Sequence, residues 1–351
     1  MSAPGLWRRL LLGAALPWLA LPAAIAAPAP QITAADWEAY RGRFLSAEGR
    51  VIDDANAGIS HSEGQGYGLL LAYLAGDRAS FDLIWRFTET ELLLRDDGLV
   101  AWKWDPKAEP RITDSNNASD GDVLIAYALG LAADGWGEAR YRTAGAAIAT
   151  AIGRTLLREV RGRVILLPAA AGFAPPADGS VVQILNPSYW VFEAIPVLKR
   201  LAPDFDWDGL TAAGIDLVAA ARFGKARLPT DWVAIEAKGL APAPGFPPVF
   251  GYNAIRIPLY LVRGGAVGGP LLEPFRQMAA PEGVPLVNVA TDTVVERLTD
   301  PGYRLVGAIV ACTAGTPIPD ELKVFRPTNY YPSTLQLLGL AWLAERQPPC
   351  R

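Results

Sequence analysis

Residues 61–72 read HSEGQGYGLLLA, a short polar stretch that runs directly into four apolar residues. This order predicts an α-helix over 63–75, with Glu63 at its entrance and an apolar continuation inside the protein. The glycines at 64, 66 and 68 each cost a helix about 1 kcal/mol relative to alanine, and they are tolerated where a bulky ligand must approach the backbone. Glu63 is therefore a candidate catalytic carboxyl facing a cleft, although the helix dipole alone also favours an acidic residue here.

The same helical periodicity extends along most of the chain. Trp37, Tyr40 and Phe44 follow the spacing of one helix face over 34–45. Further helices are predicted over 79–94, 120–134, 137–159, 187–201, 207–222, 252–263, 270–279, 301–312 and 333–345. The clearest strand pattern predicts a small hairpin between 163–167 and 181–185. About eleven or twelve helices in antiparallel pairs predict an all-α fold, a closed helical toroid, and exclude Rossmann and TIM-barrel folds, which need parallel strands.

The N-terminus has the features of an export signal. Arg8 and Arg9 precede the apolar stretch 10–21, and a small-x-small cleavage site follows at 24–26. We therefore predict a signal peptide over 1–26, a single domain over 27–351 and a periplasmic or secreted protein without a membrane span. In an oxidising compartment Cys312 and Cys350 could pair, or they could remain a buried thiol and a tail thiol.

Composition excludes several classes of protein. The chain has 351 residues, 32 Lys+Arg against 36 Asp+Glu and a formal net charge of −4, which argues against nucleic acid as a partner. One histidine and two cysteines exclude most metal centres, and we expect neither a metal nor a cofactor. A Ser-His-Asp hydrolase would depend on His61 alone.

A second polar segment precedes the helix predicted over 120–134. Residues 113–122 read TDSNNASDGD, and Asp120 and Asp122 lie at or near the start of the helix. The segment lacks the residue order of a calcium-binding EF-hand loop. Carboxylates at this position are held ionised by the helix dipole and suit hydrogen bonds from sugar hydroxyls. Because the two are separated by two residues, we expect only one of them to face the cleft.

Two further segments combine polar and aromatic residues, at 186–190 (NPSYW) and at 229–232 (PTDW) with 251–258 (GYNAIRIP). Trp102, Trp104 and Trp190 lie beside these polar loops. Indole rings next to carboxylates suggest faces on which sugar rings stack. Each tryptophan could equally belong to the core.

Four ordered motifs, at 62–68 (SEGQGYG), 118–122 (ASDGD), 186–189 (NPSY) and 252–256 (YNAIR), resemble the signatures of family 8 glycoside hydrolases. They are most similar to those of the periplasmic endoglucanases encoded with bacterial cellulose synthases. The resemblance implies an (α/α)6 barrel that hydrolyses β-1,4-glucan with inversion. It also implies that Glu63 is the general acid, that Asp120 holds the distorted sugar, and that Tyr189 and Arg256 line the same subsites. It suggests a monomer, with contact to a cellulose synthase complex left open.

One position departs from the family pattern. Typical members have an aspartate, the general base, where this chain has Asn253. An amide cannot take a proton from water at neutral pH. A carboxylate from another loop could substitute, and the candidates are Asp114, Asp122, Asp231 and Glu236. Alternatively, Asn253 positions the water for a proton relay, or the chain binds glucan and cleaves it poorly.

The inverting mechanism predicts the protonation of the two carboxyls, and two alternative functions remain to be considered. An inverting hydrolase needs one protonated and one ionised carboxyl, which predicts a raised pKa for Glu63 beside an ionised Asp120. A secreted glucan-binding protein with a decayed site is the main alternative. A polysaccharide lyase is disfavoured by the acidic net charge. The sequence does not separate cellulose from mixed-linkage glucan, xylan or chitosan as the substrate.

Overall fold

The computed structural model describes residues 29–173, 181–266 and 269–350, together with Met1 and Gly179. Apart from Met1, the predicted signal peptide over 1–26 lies outside the described residues. Within these ranges, no helix is both long enough and apolar enough to cross a membrane.

Ten α-helices are the main elements of the described fold. They are α1 (Ala34–Phe44), α2 (Ser62–Leu74), α3 (Arg78–Glu91), α4 (Ser119–Trp136), α5 (Ala139–Thr155), α6 (Ile195–Leu201), α7 (Trp207–Ala220), α8 (Ile257–Arg263), α9 (Pro301–Cys312) and α10 (Tyr330–Arg346). Four 3₁₀ segments add to them: Pro187–Tyr189, Ala254–Arg256, Glu273–Ala279 and Asp320–Leu322. The prediction of a mainly helical fold is confirmed.

Three predicted helices differ from the structure. The helix predicted over 137–159 ends at Thr155, because residues 157–160 form a strand instead. The one predicted over 187–201 divides into the 3₁₀ turn Pro187–Tyr189 and α6, and a proline lies in the first turn of each part. The segment predicted over 270–279 is the 3₁₀ helix Glu273–Ala279.

The helices pack side by side as a toroid. Helix α2 packs against α3 and α4, and α4 packs against α5 and α6. At the other end of the chain, α9 packs against α8 and α10, and α10 returns to contact α1 and α2. The Tyr40 and Thr334 hydroxyls, 2.8 Å apart, join α1 to α10. Most residues of α2, α4 and α10 and all residues of α8 are buried, so these helices lie on the inside.

Ten short strands form small antiparallel sheets between the helices. They are β1 (Ser60–His61), β2 (Lys103–Trp104), β3 (Leu157–Val160), β4 (Arg163–Leu166), β5 (Val181–Leu185), β6 (Val233–Glu236), β7 (Gly239–Pro242), β8 (Val249–Phe250), β9 (Val284–Asn288) and β10 (Thr293–Leu298). The sheets are β1-β2, β3-β4, β5-β6-β7 and β10-β9-β8.

The predicted hairpin between 163–167 and 181–185 is wrong. Strand β4 pairs with β3, which precedes it by a two-residue turn, and β5 pairs with β6 from a distant part of the chain. The turn contains Arg161 and Gly162, both with positive φ. A tight two-residue turn of this kind favours a local hairpin over the longer connection through 168–180.

Glycines allow the first turns of α2 and α4 to touch. A methyl group on Gly121 would lie 2.1 Å from the Ser62 hydroxyl oxygen and 2.8 Å from the Glu63 backbone nitrogen. Real contacts of that kind do not occur, so the position requires glycine. This close approach sets the side chains of Glu63 and Asp120 next to each other.

We predict that Gly121→Ala destabilises the protein by about 1–3 kcal/mol, because overpacking must force the two helix starts apart. Equilibrium unfolding in urea measures the change. Gly42→Ala on α1 is the matched control, since a methyl group there meets no atom within 4 Å, and it should leave stability unchanged or slightly raised. Equal stability of Gly121→Ala and the wild type would contradict the close packing.

Cys312 and Cys350 form a disulfide with a sequence separation of 38 residues. The bond joins the end of α9 to the C-terminal segment. That segment also pairs with the chain near α9, because the Ile318 N–H donates to the Cys350 carbonyl at 3.0 Å. The pairing that the sequence left open is therefore present, and it fits an oxidising compartment.

We expect Cys350→Ser to lower the free energy of unfolding by about 2–4 kcal/mol, the usual contribution of a native disulfide. Thermal unfolding with and without a reductant measures the effect. The reductant should lower the midpoint of the wild type and leave that of the variant unchanged. A wild-type midpoint that does not respond to a reductant strong enough to reduce the bond would contradict this prediction.

Candidate active site

A cleft of about 810 Å³ opens where α2, α4 and α10 begin. Its wall includes five residues that the sequence singled out, namely Glu63, Trp102, Asp120, Tyr189 and Asn253. The connection from β10 to α9 forms part of the same wall. Side chains from widely separated parts of the chain therefore meet at one end of the toroid.

Glu63 lies in the first turn of α2, with a side chain that is 17% exposed. His61 is the N-cap of this helix, and its Nδ1 accepts the Gly64 N–H at 3.0 Å. The His61 Nε2 lies 3.4 Å from the Asp53 carboxylate. Burial acts to lower the pKa of His61, but the hydrogen bond to Asp53 and the charge of Glu63 outweigh burial and the pKa is raised. His61 thus fixes the start of the helix that carries Glu63.

Arg256 holds the two carboxylates of the cleft together. Its guanidinium is 1% exposed, bonds Glu63 through Nη1 and lies 2.5 Å from Asp120 through Nη2. Arg256 was expected to line a substrate subsite, and in the structure it is buried in contact with two residues of the cleft wall. The guanidinium lies behind the carboxylates, outside the wall that the described residues form. Its role in the fold is to position Glu63 and Asp120.

The pKa shifts of the two carboxyls have opposite signs. Burial raises the pKa of Glu63, but the Arg256 guanidinium outweighs burial and the pKa is lowered. Burial raises the pKa of Asp120 to about 7, with the charge of Glu63 acting in the same direction and Arg256 opposing it. These directions are the reverse of the expected neutral Glu63 beside an ionised Asp120, although the two coupled carboxyls titrate as a pair.

Tyr189 ends the 3₁₀ turn that begins at Pro187, and Asn186 caps this turn by accepting the Ser188 N–H at 3.1 Å. The Arg256 guanidinium lies 5.7 Å from the centroid of the Tyr189 ring. Trp232 packs edge-on against the same ring at 6.1 Å. These contacts fix Tyr189 on the cleft wall.

Asn253 reaches the cleft from a loop that Asp231 holds in place. One carboxylate oxygen of Asp231 accepts the backbone N–H groups of Gly251, at 3.0 Å, and Ala254, at 2.8 Å. Burial raises the pKa of Asp231, while these backbone hydrogen bonds act to lower it. Asp231 therefore supports the Asn253 loop from behind and lies outside the described cleft wall.

Only one of the three predicted tryptophan platforms lines the cleft. Trp102 lies on the wall, and its Nε1 donates to the Asp114 carboxylate at 2.8 Å. The chain bends at Trp102, so Trp104 faces a separate groove. There its Nε1 donates to Glu91 at 3.3 Å. Trp104 lies outside the described wall of the cleft that holds Glu63, so its position does not support a platform there.

Trp190 is a core residue, so its prediction as a platform is wrong. The side chain is 1% exposed, and its Nε1 donates to the Leu210 carbonyl at 3.0 Å. A methyl group on Gly214 of α7 would lie 2.2 Å from the indole. Trp190 directly follows Tyr189 but points to the opposite side of the turn, into the packing with α7.

Asp122 is not a substrate-binding residue. It is fully buried, and its two carboxylate oxygens accept the Val100 N–H at 2.8 Å and the Asn117 amide at 2.7 Å. As the spacing predicted, only Asp120 of the two faces the cleft. Asp122 instead joins α4 to the segment that precedes Trp102.

None of the four candidate replacement bases lies on the cleft wall that the described residues form. Asp114 holds the Trp102 indole, Asp122 is buried and Asp231 supports the Asn253 loop. Glu236 lies on β6, opposite Gly239 and Val181 of the neighbouring strands. The expectation that one of them replaces the missing aspartate is therefore not supported by their positions.

The sequence reasoning missed residues that come late in the chain. Glu296 on β10, Asp300 before α9 and Tyr303 within it all line the cleft. Tyr252 also lines it, and its hydroxyl donates to Glu296 at 3.0 Å. No local pattern marks these residues, because only the return of α9 and α10 beside α2 brings them to the site. The acidic residues immediately before the helix predicted over 301–312 were the available signal.

We predict that stability falls as the pH rises from 5 to 8, partly because of Asp122. Burial raises its pKa to about 7, above the ordinary value of about 4. The folded state therefore binds more protons than the unfolded state between these values. This contribution to stability is complete below about pH 4 and is lost as the pH rises through about 7.

Thermal unfolding of the wild type and Asp122→Asn at pH 5 and pH 8 tests this prediction. The melting temperature of the wild type should fall more between pH 5 and pH 8 than that of the variant. Asp204→Asn, which changes an exposed aspartate, is the control and should follow the wild type. A variant with the wild-type pH dependence would contradict the assignment.

The chain is similar to known glycosyl hydrolases over nearly its whole length. The family model described as glycosyl hydrolases family 8 matches residues 6–345. A probable endoglucanase of Novacetimonas hansenii is 37% identical over 322 residues, which are 90% of this chain and 92% of the relative.

Two solved structures have the same fold. The endo-β-1,4-glucanase CMCax from Acetobacter xylinum is 34% identical, with a TM-score of 0.81 over 91% of this chain and all of that one. A family 8 endo-β-1,4-glucanase from an Achatina fulica gut metagenomic library is 36% identical, with a TM-score of 0.80 over 89% of this chain and 97% of that one. The family match and the identity to full-length relatives together establish that this chain belongs to glycosyl hydrolase family 8.

Proposed function

We propose that this protein is an endo-acting β-1,4-glucanase that cleaves its substrate with inversion, and that Glu63 is its general acid. Membership of family 8 and the printed activities of its relatives support the reaction class. The observation that carries the assignment of Glu63 is its position. It is a carboxyl on the cleft wall, joined to a second carboxyl through a buried guanidinium.

The net charge of the cluster formed by Glu63, Asp120 and Arg256 favours the binding of one proton. With both carboxyls ionised the cluster has a net charge of −1, which burial penalises. One added proton makes it neutral, and the pKa of about 7 at Asp120 agrees with proton uptake near neutral pH. Two coupled carboxyls titrate as a pair, so the proton belongs to both of them.

Glu63 is the member of the pair that can deliver this proton. Its side chain is 17% exposed toward the cleft, against 3% for Asp120. When a sugar chain occupies the cleft, the glycosidic oxygen can accept the proton from Glu63. Asp120 then keeps its contact with Arg256 and accepts hydrogen bonds from the sugar. Proton donation and sugar binding are thus divided between the two carboxyls.

The rings on the cleft wall suit a neutral polysaccharide. Trp102, Tyr189 and Tyr252 line the cleft, and Tyr252 is 45% exposed. Aromatic rings offer flat apolar faces for sugar rings, and the hydroxyl and indole groups add hydrogen bonds. We propose β-1,4-glucan as the substrate and export to the periplasm or the medium, where the disulfide is stable.

Asn253 favours one alternative, a protein that binds glucan and cleaves it poorly. The amide lies on the cleft wall at the position where typical members have the general base, and it cannot accept a proton from water at neutral pH. Release of reducing ends from carboxymethylcellulose by the purified protein separates the two functions. An active wild type supports the hydrolase, and binding without cleavage supports the alternative.

We predict that Glu63→Gln lowers the rate of glucan hydrolysis by about a hundredfold or more, since general acid catalysis contributes about 10²–10⁴. The amide keeps the size of the side chain but cannot donate a carboxyl proton. Reducing-end release from a soluble β-1,4-glucan measures the rate.

Glu89→Gln is the matched control, because Glu89 is an exposed glutamate on the neighbouring helix α3. This variant should retain the wild-type rate. Both variants should unfold at temperatures close to that of the wild type, which excludes a loss of fold. A Glu63→Gln enzyme with near-normal activity would remove Glu63 from the role of general acid.

A further inference from the structure

The cleft contains further carboxylates besides those of Glu63 and Asp120. Within the described residues, five carboxylates line it: Asp53, Glu63, Asp120, Glu296 and Asp300. An inverting hydrolase needs one of them to accept a proton from the attacking water, because Asn253 cannot. The inference below rests on the proposed function, and it concerns which carboxylate performs this step.

Two of the remaining carboxylates are committed to other contacts. Asp120 faces Arg256 with one oxygen, and its other oxygen accepts the Gly121 N–H at 2.9 Å. Asp53 lies 3.4 Å from His61 with one oxygen, and its other oxygen accepts the Ala55 N–H at 3.2 Å. Asp53 is also joined through His61 to the start of α2, the helix that carries the acid itself.

The other two, Glu296 and Asp300, adjoin the loop that carries Asn253. Tyr252 precedes Asn253 in the chain, and its hydroxyl donates to Glu296 at 3.0 Å. Tyr303, in the first turn of the helix that Asp300 caps, lies 6.3 Å from the Tyr252 ring. The Asp300 turn and the Asn253 loop therefore lie side by side on the cleft wall.

Tyr331 joins these two segments from a third side. Its hydroxyl donates to the Tyr252 carbonyl at 2.8 Å, and its ring lies 6.0 Å from that of Tyr303. These contacts limit the freedom of the loop and of the helix start. A carboxylate on this surface is held at a defined place, as a general base must be.

Asp300 differs from Glu296 in three respects that suit a base. Its carboxylate makes no hydrogen bond or ion pair to any described residue, whereas Glu296 accepts the Tyr252 hydroxyl. Asp300 is half-buried and Glu296 is exposed. Pro301 follows Asp300 and starts α9, so the backbone is restricted.

We propose that Asp300 is the general base of this hydrolase and that Asn253 holds the same water molecule through its amide. The water oxygen attacks the anomeric carbon and transfers one proton to the Asp300 carboxylate. The bond from the anomeric carbon to the glycosidic oxygen breaks, and that oxygen takes the proton of Glu63. One water is consumed, and solvent exchange returns a proton from Asp300 to Glu63 before the next cycle.

The test compares Asp300→Asn and Glu296→Gln with the wild type on a soluble β-1,4-glucan. We expect Asp300→Asn to lower kcat by about a hundredfold or more and to change KM little. Glu296→Gln should lower kcat far less than Asp300→Asn does, because its carboxylate transfers no proton. Asp96→Asn, at an exposed position, is the control for an aspartate outside the cleft and should not change the rate.

Chemical rescue separates a base from a structural residue. Azide attacks carbon without losing a proton, so it needs no base. Asp300→Gly leaves space for the anion and keeps a residue that is accepted at a helix N-cap. Sodium azide should restore turnover of Asp300→Gly and yield an α-glycosyl azide, detected by mass spectrometry and NMR. It should not restore Glu63→Gln, which lacks the acid.

A double variant tests the shared water. Asn253→Asp in the Asp300→Asn background should regain activity, because a carboxylate then stands on the other side of the same water. Full activity of Asp300→Asn overturns the proposal, as does a loss that azide fails to restore in Asp300→Gly. Loss of activity in Glu296→Gln with normal activity in Asp300→Asn would assign the base to Glu296.

These outcomes are distinct from a failure of the proposed function. If the wild type releases no reducing ends from any β-1,4-glucan, the hydrolase assignment fails, and the assignment of a general base fails with it. If the wild type is active and Glu63→Gln is not, the function stands whatever the result for Asp300. The two questions are therefore answered by different variants in one assay.

Discussion

The geometry of the site depends on one buried guanidinium. Arg256 is 1% exposed and contacts carboxylates that come from the first turns of α2 and α4. Removing the guanidinium would leave two buried carboxylates without a counter-charge, which costs several kcal/mol. The same contacts lower the pKa of Glu63 and oppose the rise at Asp120. Arg256 thus links the packing of the inner helices to the proton chemistry of the cleft.

The inner helices are rigid supports, while loops and helix starts supply the chemistry. Gly121 lets the two helix starts meet, and Asp231 fixes the loop of Asn253 through backbone hydrogen bonds. The opposite part of the wall comes from the residues that connect β10 to α9. Position 253 of the wall is an asparagine, and the cleft contains further carboxylates in addition to Glu63 and Asp120.

Sequence reasoning predicted the helical fold and the members of the site that lie in strong motifs. Glu63, Asp120, Tyr189 and Asn253 all line the cleft, because each motif combines a helix or turn start with a polar side chain. The predictions for tryptophans failed more often. Trp190 follows Tyr189 directly, yet it packs into the core, since adjacent residues of a turn point to different sides. Proximity in sequence therefore does not determine which ring faces a substrate.

The sequence by itself determined the order of the helices, the family and the presence of the Glu63 carboxyl on the cleft wall. These depend on local periodicity and on motifs, in which a few neighbouring residues carry all the information. Only the tertiary structure decided that Arg256 contacts Glu63 and Asp120 from behind and that Asp300 reaches the same cleft. Both facts join segments about two hundred residues apart, and such contacts exist only once the toroid has brought its last helices beside α2.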